Sequence, residues 1–180
     1  EHQVLLIADE VLTGFGRCGK MFACNLAGVV PDLMCLSKGI TGGFLPLGAT
    51  LCTDAIHHEF AGPGRSFFHG HSYTGNPLAC AAAVANLEIF ETEDVFQRID
   101  AIAAQHSRRL AQVGVDPGVE EVRQIGTVAA IELKAEDKGY FSSLKPRLYK
   151  FFLDHDVLLR PLGNVIYLLP PYSITREELD

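Results

Sequence analysis

Leu33-Met34-Cys35-Leu36-Ser37-Lys38-Gly39-Ile40-Thr41-Gly42-Gly43 is an apolar run that closes on a lysine and then breaks into glycines. Upstream, Val4-Leu5-Leu6-Ile7-Ala8 is built the same way and closes on Asp9-Glu10. Parallel strands buried on both faces read as continuous apolar runs, and ligands of open α/β sheets sit at the carboxyl ends of the strands. Asp9 and Lys38, 38 − 9 = 29 residues apart, are therefore expected to face one crevice. A lysine placed there can lose solvent, shift its pKa downward and condense with an aldehyde, while a carboxylate beside it can hold a protonated ring nitrogen. That pair suits pyridoxal phosphate (PLP), whose usual protein partners are an imine-forming lysine and an acid at the pyridinium nitrogen. Strands also end in Asp or Lys merely because the chain is emerging into water, so two residues do not decide between these readings.

Outward from this core, the runs Val4–Ala8, Leu33–Leu36 and Leu47–Cys52 read as short neighbouring strands of a larger sheet, separated by glycine-rich turns. Asn76-Pro77 is a helix start, with a capping side chain followed by the residue favoured at the first helical position. The stretch from Leu78 to Phe90 is apolar almost all round, the pattern of a buried helix. Asp94 then opens a second helix with Val95, Ile99, Ile102 and Leu110 at helical spacing, ending near Gly114. Beyond it, residues 125–133 read as a strand and 144–154 as an amphipathic helix with Leu144, Leu148, Phe151 and Phe152 on its apolar side. Residues 157–169 read as a hairpin turning at Gly163-Asn164 in a type II′ turn. The pattern divides the chain into an α/β part, residues 1–94, and a small α+β part, residues 95–180.

Composition narrows the function classes. The 180 residues are 48% apolar, enough for a sizeable core, and carry a formal net charge of −7. Basic residues cluster nowhere beyond Arg108-Arg109, which argues against a nucleic-acid surface. No run approaches the roughly 20 apolar residues of a membrane span. The five cysteines, Cys18, Cys24, Cys35, Cys52 and Cys80, show no CxxC spacing and suit reduced thiols in a cytoplasmic protein. His69 and His71 alternate without nearby acid or cysteine ligands, so no metal is expected. Glu1 is not a methionine, and the capping-box pair Thr175 and Glu178 announces a helix just before the sequence stops at Asp180; both ends are expected to be cut.

Context decides the reading of Asp9 and Lys38. The segments from Ile7 to Lys20 and from Pro31 to Gly43 both resemble the class III (ω-amino) aminotransferases of PLP fold type I. The segment Phe68-His69-Gly70-His71-Ser72-Tyr73-Thr74-Gly75-Asn76-Pro77-Leu78-Ala79-Cys80-Ala81-Ala82 looks like that family's phosphate-contacting loop and the helix behind it. A fourth segment, from Arg160 to Tyr172, narrows the resemblance to the branch that serves biotin synthesis. The resemblance implies the later part of a PLP-binding large domain, with a mostly parallel sheet, followed by a small carboxy-terminal domain. It implies transfer of an amino group from S-adenosylmethionine to 8-amino-7-oxononanoate, giving 7,8-diaminononanoate, with PLP as cofactor.

Residue by residue, Lys38 would hold the cofactor aldehyde and serve as the proton-moving base, and Asp9 would keep the ring nitrogen protonated. Glu10, which strand alternation points away from Asp9, is expected to be structural. By resemblance Arg17 would help order the active-site entrance, and the loop carrying Ser72 and Thr74 would cross a homodimer interface to the partner's cofactor phosphate. The branch has threonine where Ser72 stands, which makes Ser72 the first candidate and Thr74 the second. Arg160, a planar two-pronged carboxylate binder expected on a strand, would hold the keto acid's carboxylate, with Tyr167 across the hairpin. Rival readings are another ω-amino-acid or diamine aminotransferase, lysine as amino donor, and an inactive remnant or dimerisation partner. The last has weight because the family's upstream phosphate-binding Gly-Ser turn and ring-stacking aromatic residue are not in this sequence.

Overall fold

A computed structural model describes residues 4–180 and divides the chain into two compact units, one running to Val95 and the other beginning at Phe96. In the first unit, β1 (Ile7–Asp9) pairs in parallel with β2 (Leu33–Leu36), with Asp9 opposite Cys35. On its other side β2 pairs antiparallel with β3 (Ala49–Cys52), giving the order β1-β2-β3. The short helix α1 (Ala23–Ala27) lies in the β1–β2 connection, and α2 (Asp54–Glu59) follows β3. Neither short helix is evident from periodicity, since five or six residues cannot display an amphipathic repeat. Helix α3 (Pro77–Thr92) starts as its sequence dictates: Pro77 takes the first helical position and Asn76 Oδ1 accepts the Leu78 N–H at 3.0 Å.

The core of this unit is Phe15, Leu36, Ile40 and Ala83, with Met34, Leu47 and Phe90 packed against it. Phe15 makes an edge-on contact with Phe22 at 5.7 Å between centroids, and truncating it to alanine is expected to cost roughly 3–5 kcal/mol. Two apolar patterns are not buried as the sequence suggests. Within α3 only Ala79 and Ala83 are buried, while Leu78 and Val84 stand 71% and 56% exposed. In β1, Ile7 is 62% exposed. The helix lays its alanine side on the turn after β2, and the described residues leave its other faces open.

Helix α4 (Val95–Val113), which from Phe96 onward belongs to the second unit, buries Ile99, Ile102, His106 and Leu110, a stripe at spacings of three and four. The antiparallel sheet has the order β4-β5-β6, with β4 (Val119–Ile125), β5 (Val128–Leu133) and β6 (Val165–Leu168). The single strand expected over 125–133 is thus a hairpin, because Gly126, at φ +52°, and Thr127 reverse the chain between Ile125 and Val128. The helix over 144–154 forms as read, as α5 (Leu144–Asp154).

The hairpin expected over 157–169 forms only at its tip. Leu162 and Val165 exchange backbone hydrogen bonds around Gly163-Asn164, and Gly163 has φ +64° while Asn164 does not have a positive φ, as a type II′ turn requires. Residues 157–161 form no strand; Asp156 at φ +60° turns the chain out of α5, and Pro161 lacks the N–H a ladder would need. The final helix α6 (Arg176–Leu179) carries both bonds of its capping box, between Thr175 and Glu178. Among the described residues no helix is long and apolar enough to cross a membrane.

Candidate functional site at the carboxyl ends of β1 and β2

Lys38 stands three residues beyond the Asp9 partner Cys35, so the parallel register carries both residues to the same edge of the sheet. Both side chains are exposed. Lys38 opens a single 3-10 turn, Lys38–Thr41, with an unusual backbone: its φ is +43°, in the left-handed region that L-residues avoid. Strain of this kind persists only when the surroundings over-determine it. Here they do so from several directions. Ser37 Oγ donates to the Leu47 carbonyl at 2.7 Å and Thr41 Oγ1 to the Leu45 carbonyl at 2.6 Å. Asn86 of α3 donates its Nδ2 to the Gly39 carbonyl at 2.9 Å and to that of Ile40 at 3.3 Å. The Lys38 ammonium itself has no hydrogen-bond or ion-pair partner among the described residues. Asp9 Oδ1 accepts the Val11 N–H at 3.0 Å, which fixes the carboxylate's direction.

Glu10 is 2% exposed and faces the opposite way from Asp9, as alternation requires. Its carboxylate accepts the Cys24 N–H at 2.7 Å, the Ala23 N–H at 3.0 Å and the Thr13 hydroxyl. Burial alone would raise its pKa, but the hydrogen bonds from Thr13, Cys24 and Ala23 outweigh burial and hold the carboxyl below its ordinary range. Arg17 is half-buried in the loop that Glu10 closes. Burial and the nearby Glu10 charge push the Cys18 thiol up, against the opposing influence of Arg17.

A cleft of about 730 Å³ in the same unit is lined by Ser37, Leu45 to Gly48, and His71 with Tyr73 to Asn76. Thr74 is in this lining and Ser72 is not; Thr74 Oγ1 accepts the His71 N–H at 3.0 Å. Both hydroxyl residues are exposed. His71 Nδ1 accepts the Tyr73 N–H at 3.1 Å, so that ring orders its own loop.

Arg160 and Tyr167 belong to the second unit. Arg160 is exposed in the strandless segment and lines a small cavity with Lys145, Pro146, Tyr149 and Pro161. Tyr167 pairs with Ala130 of β5, not with Arg160 across a hairpin. Asn164, whose residue type signals only a turn, is 1% exposed and holds two segments together. It donates to the Leu133 carbonyl at 2.8 Å and accepts the Gly139 N–H at 3.1 Å. Asn86 likewise carries no sequence signal, because one polar residue in an apolar helix says nothing until its partners are known.

The family description for class-III aminotransferases matches residues 1–180. The chain belongs to that family. It is 49% identical over 178 residues to the adenosylmethionine-8-amino-7-oxononanoate aminotransferase of Synechococcus elongatus, covering 97% of this chain and 41% of that protein. The crystal structure of the enzyme of the same name from Methanocaldococcus jannaschii superposes with a TM-score of 0.90 at 42% identity, over 98% of this chain and 43% of the other. An amine transaminase from an uncultivated Pseudomonas species, solved in its PLP-bound form, gives 0.88 at 40% identity, over 99% and 42%. This class-III chain therefore spans about two fifths of the length of these relatives.

Proposed function

We propose that the chain is the later part of a PLP-dependent aminotransferase that moves an amino group from S-adenosylmethionine to 8-amino-7-oxononanoate, forming 7,8-diaminononanoate for biotin. One observation carries the reading: Asp9 and Lys38 lie at the carboxyl ends of adjacent parallel strands, with the Lys38 amine unpartnered among the described residues. That donor set fits PLP, which needs a nucleophilic amine for its aldehyde and an acid for its ring nitrogen. When bound, PLP supplies the electron sink that stabilises a carbanion beside nitrogen. Lys38 Nζ takes the proton from the amine-bearing carbon of the donor and returns one to the carbonyl carbon of the acceptor. Asp9 keeps the ring nitrogen protonated by charge and hydrogen bonding. Arg160 binds the terminal carboxylate of the keto acid, with Tyr167 beside it, and Arg17 orders the entrance to the site. Ser72 and Thr74 reach the phosphate of a partner subunit in a homodimer, and the enzyme works in the cytoplasm.

The names of the relatives support the substrate pair, and a family match over the whole chain supports an enzyme over an inactive remnant. The transaminase neighbours keep the ω-amine reading as the one to test against. A polypeptide of the relatives' full length carrying this chain should be given S-adenosylmethionine with 8-amino-7-oxononanoate, lysine with the same acceptor, and β-alanine with pyruvate. Product with the first pair is expected. Turnover only with β-alanine and pyruvate would replace the biotin reading with the ω-amino-acid one.

A further inference from the structure

Lys38 is held in the left-handed region by something other than its own sequence preference, and the geometry around Gly39 shows what. A Cβ built on Gly39 would lie 2.9 Å from both Cβ and Cδ2 of Phe15, so the phenylalanine ring packs directly on the backbone that follows Lys38. Phe15 is itself at φ +58°, between Gly14 and Gly16, and only 4% exposed. A bulky residue does not adopt that backbone unaided. The loop from Val11 to Phe22 is closed by Glu10 at both ends. At the near end the Thr13 hydroxyl donates to its carboxylate and the Gly14 N–H to its carbonyl at 2.9 Å. At the far end its carboxylate takes the first free N–H groups of α1, from Ala23 and Cys24, while its own N–H donates to the Cys35 carbonyl of β2 at 2.9 Å.

We propose that Glu10 is a positioning residue for Lys38, acting through Phe15. The buried carboxylate fastens the loop, the fastened loop keeps Phe15 in its strained conformation, and Phe15 seated on Gly39 keeps Lys38 turned toward the edge it shares with Asp9. The inference rests on Lys38 being the lysine that carries PLP. Glutamine is a severe test because its amide would present N–H donors to a ring of donors that the two carboxylate oxygens now satisfy.

The test uses a polypeptide of the relatives' full length carrying this chain, loaded with PLP. Four variants are compared with the unsubstituted protein: Glu10→Gln, Phe15→Ala, the two combined, and Thr13→Val, which keeps shape and removes one donor. Three readouts are taken: the visible absorbance of the lysine-bound cofactor, the pH at which that band changes, and the rate of PLP loss on dilution. Glu10→Gln is expected to shift the band's pH midpoint and to raise the rate of PLP loss roughly tenfold or more, with a smaller shift in the same direction for Thr13→Val. Because both act through one contact, the double variant should match Phe15→Ala alone. Unchanged midpoint and release in Glu10→Gln and Thr13→Val, or strictly additive effects in the pair, would reduce Glu10 to a support of the fold. Reduction of the unsubstituted protein with borohydride separates the two ideas: PLP fixed to a lysine other than Lys38 would remove the reading beneath the proposal and the proposal with it.

Discussion

At the scale of single residues, the sequence points to the groups proposed to do chemistry and conceals the contacts that surround them. Asp9 and Lys38 are legible because each closes an apolar run, and Glu10 is legible as structural because alternation turns it inward. The left-handed backbone of Lys38, the Phe15 ring on Gly39 and the Asn86 amide on the turn carbonyls are not, since each depends on residues far apart in sequence. Arg160 shows the converse: the strand expected to carry it does not form, because Pro161 cannot donate to a ladder. A charged, hydrogen-bonded anchor is worth roughly 1.5–3 kcal/mol. Arg160→Ala, in the full-length context, should therefore weaken the carboxylate-bearing keto acid by a factor of about ten to a hundred and leave the half-reaction with S-adenosylmethionine nearly intact. Separate half-reaction kinetics check this, and an equal loss in both would show that Arg160 does not discriminate between the substrates.

Among the elements, α3 and α5 followed from capping signals and periodicity, whereas the β4–β5 hairpin was missed because Gly126-Thr127 sits inside an otherwise strand-like run. Helix α4 carries the element's own liability. His106 is 3% exposed, its Nε2 has no hydrogen-bond partner among the described residues, and burial lowers its pKa against a hydrogen bond to the Thr127 backbone. A depressed histidine pKa means that protons favour the opened state. The contribution is complete above the ordinary histidine value of about 6.5 and is lost as pH falls below it, with a slope of at most about 1.4 kcal/mol per pH unit. Hydrogen exchange of α4 amides should accordingly show easier opening at pH 5.5 than at pH 7.5, beyond the intrinsic exchange trend. In His106→Phe that extra dependence should vanish, and its persistence would move the cause to another group.

For the molecule as a whole, the open apolar faces of β1 and α3 fit the fact that the chain spans about two fifths of its relatives' length. The apolar patterns of these segments led to an expectation of burial that the described residues do not meet, and a sequence pattern cannot say which residues would do the covering. Exposed strand edges and contiguous apolar surface promote association. Residues 1–180 expressed alone are expected to be largely insoluble, to lose PLP on gel filtration and to transfer no amino group, although Asp9, Lys38 and the Ser72 loop are all present. A soluble, yellow, active 180-residue protein would show that these faces need no cover. The central claim, that Lys38 carries the cofactor, has a more direct test. A full-length polypeptide carrying this chain is loaded with PLP, reduced with borohydride, digested and mapped by mass spectrometry, beside Lys38→Ala. The account requires the reduced cofactor on the peptide containing Lys38 and neither visible band nor adduct in the variant; an adduct on another lysine, or a variant that keeps its band and its turnover, would contradict it.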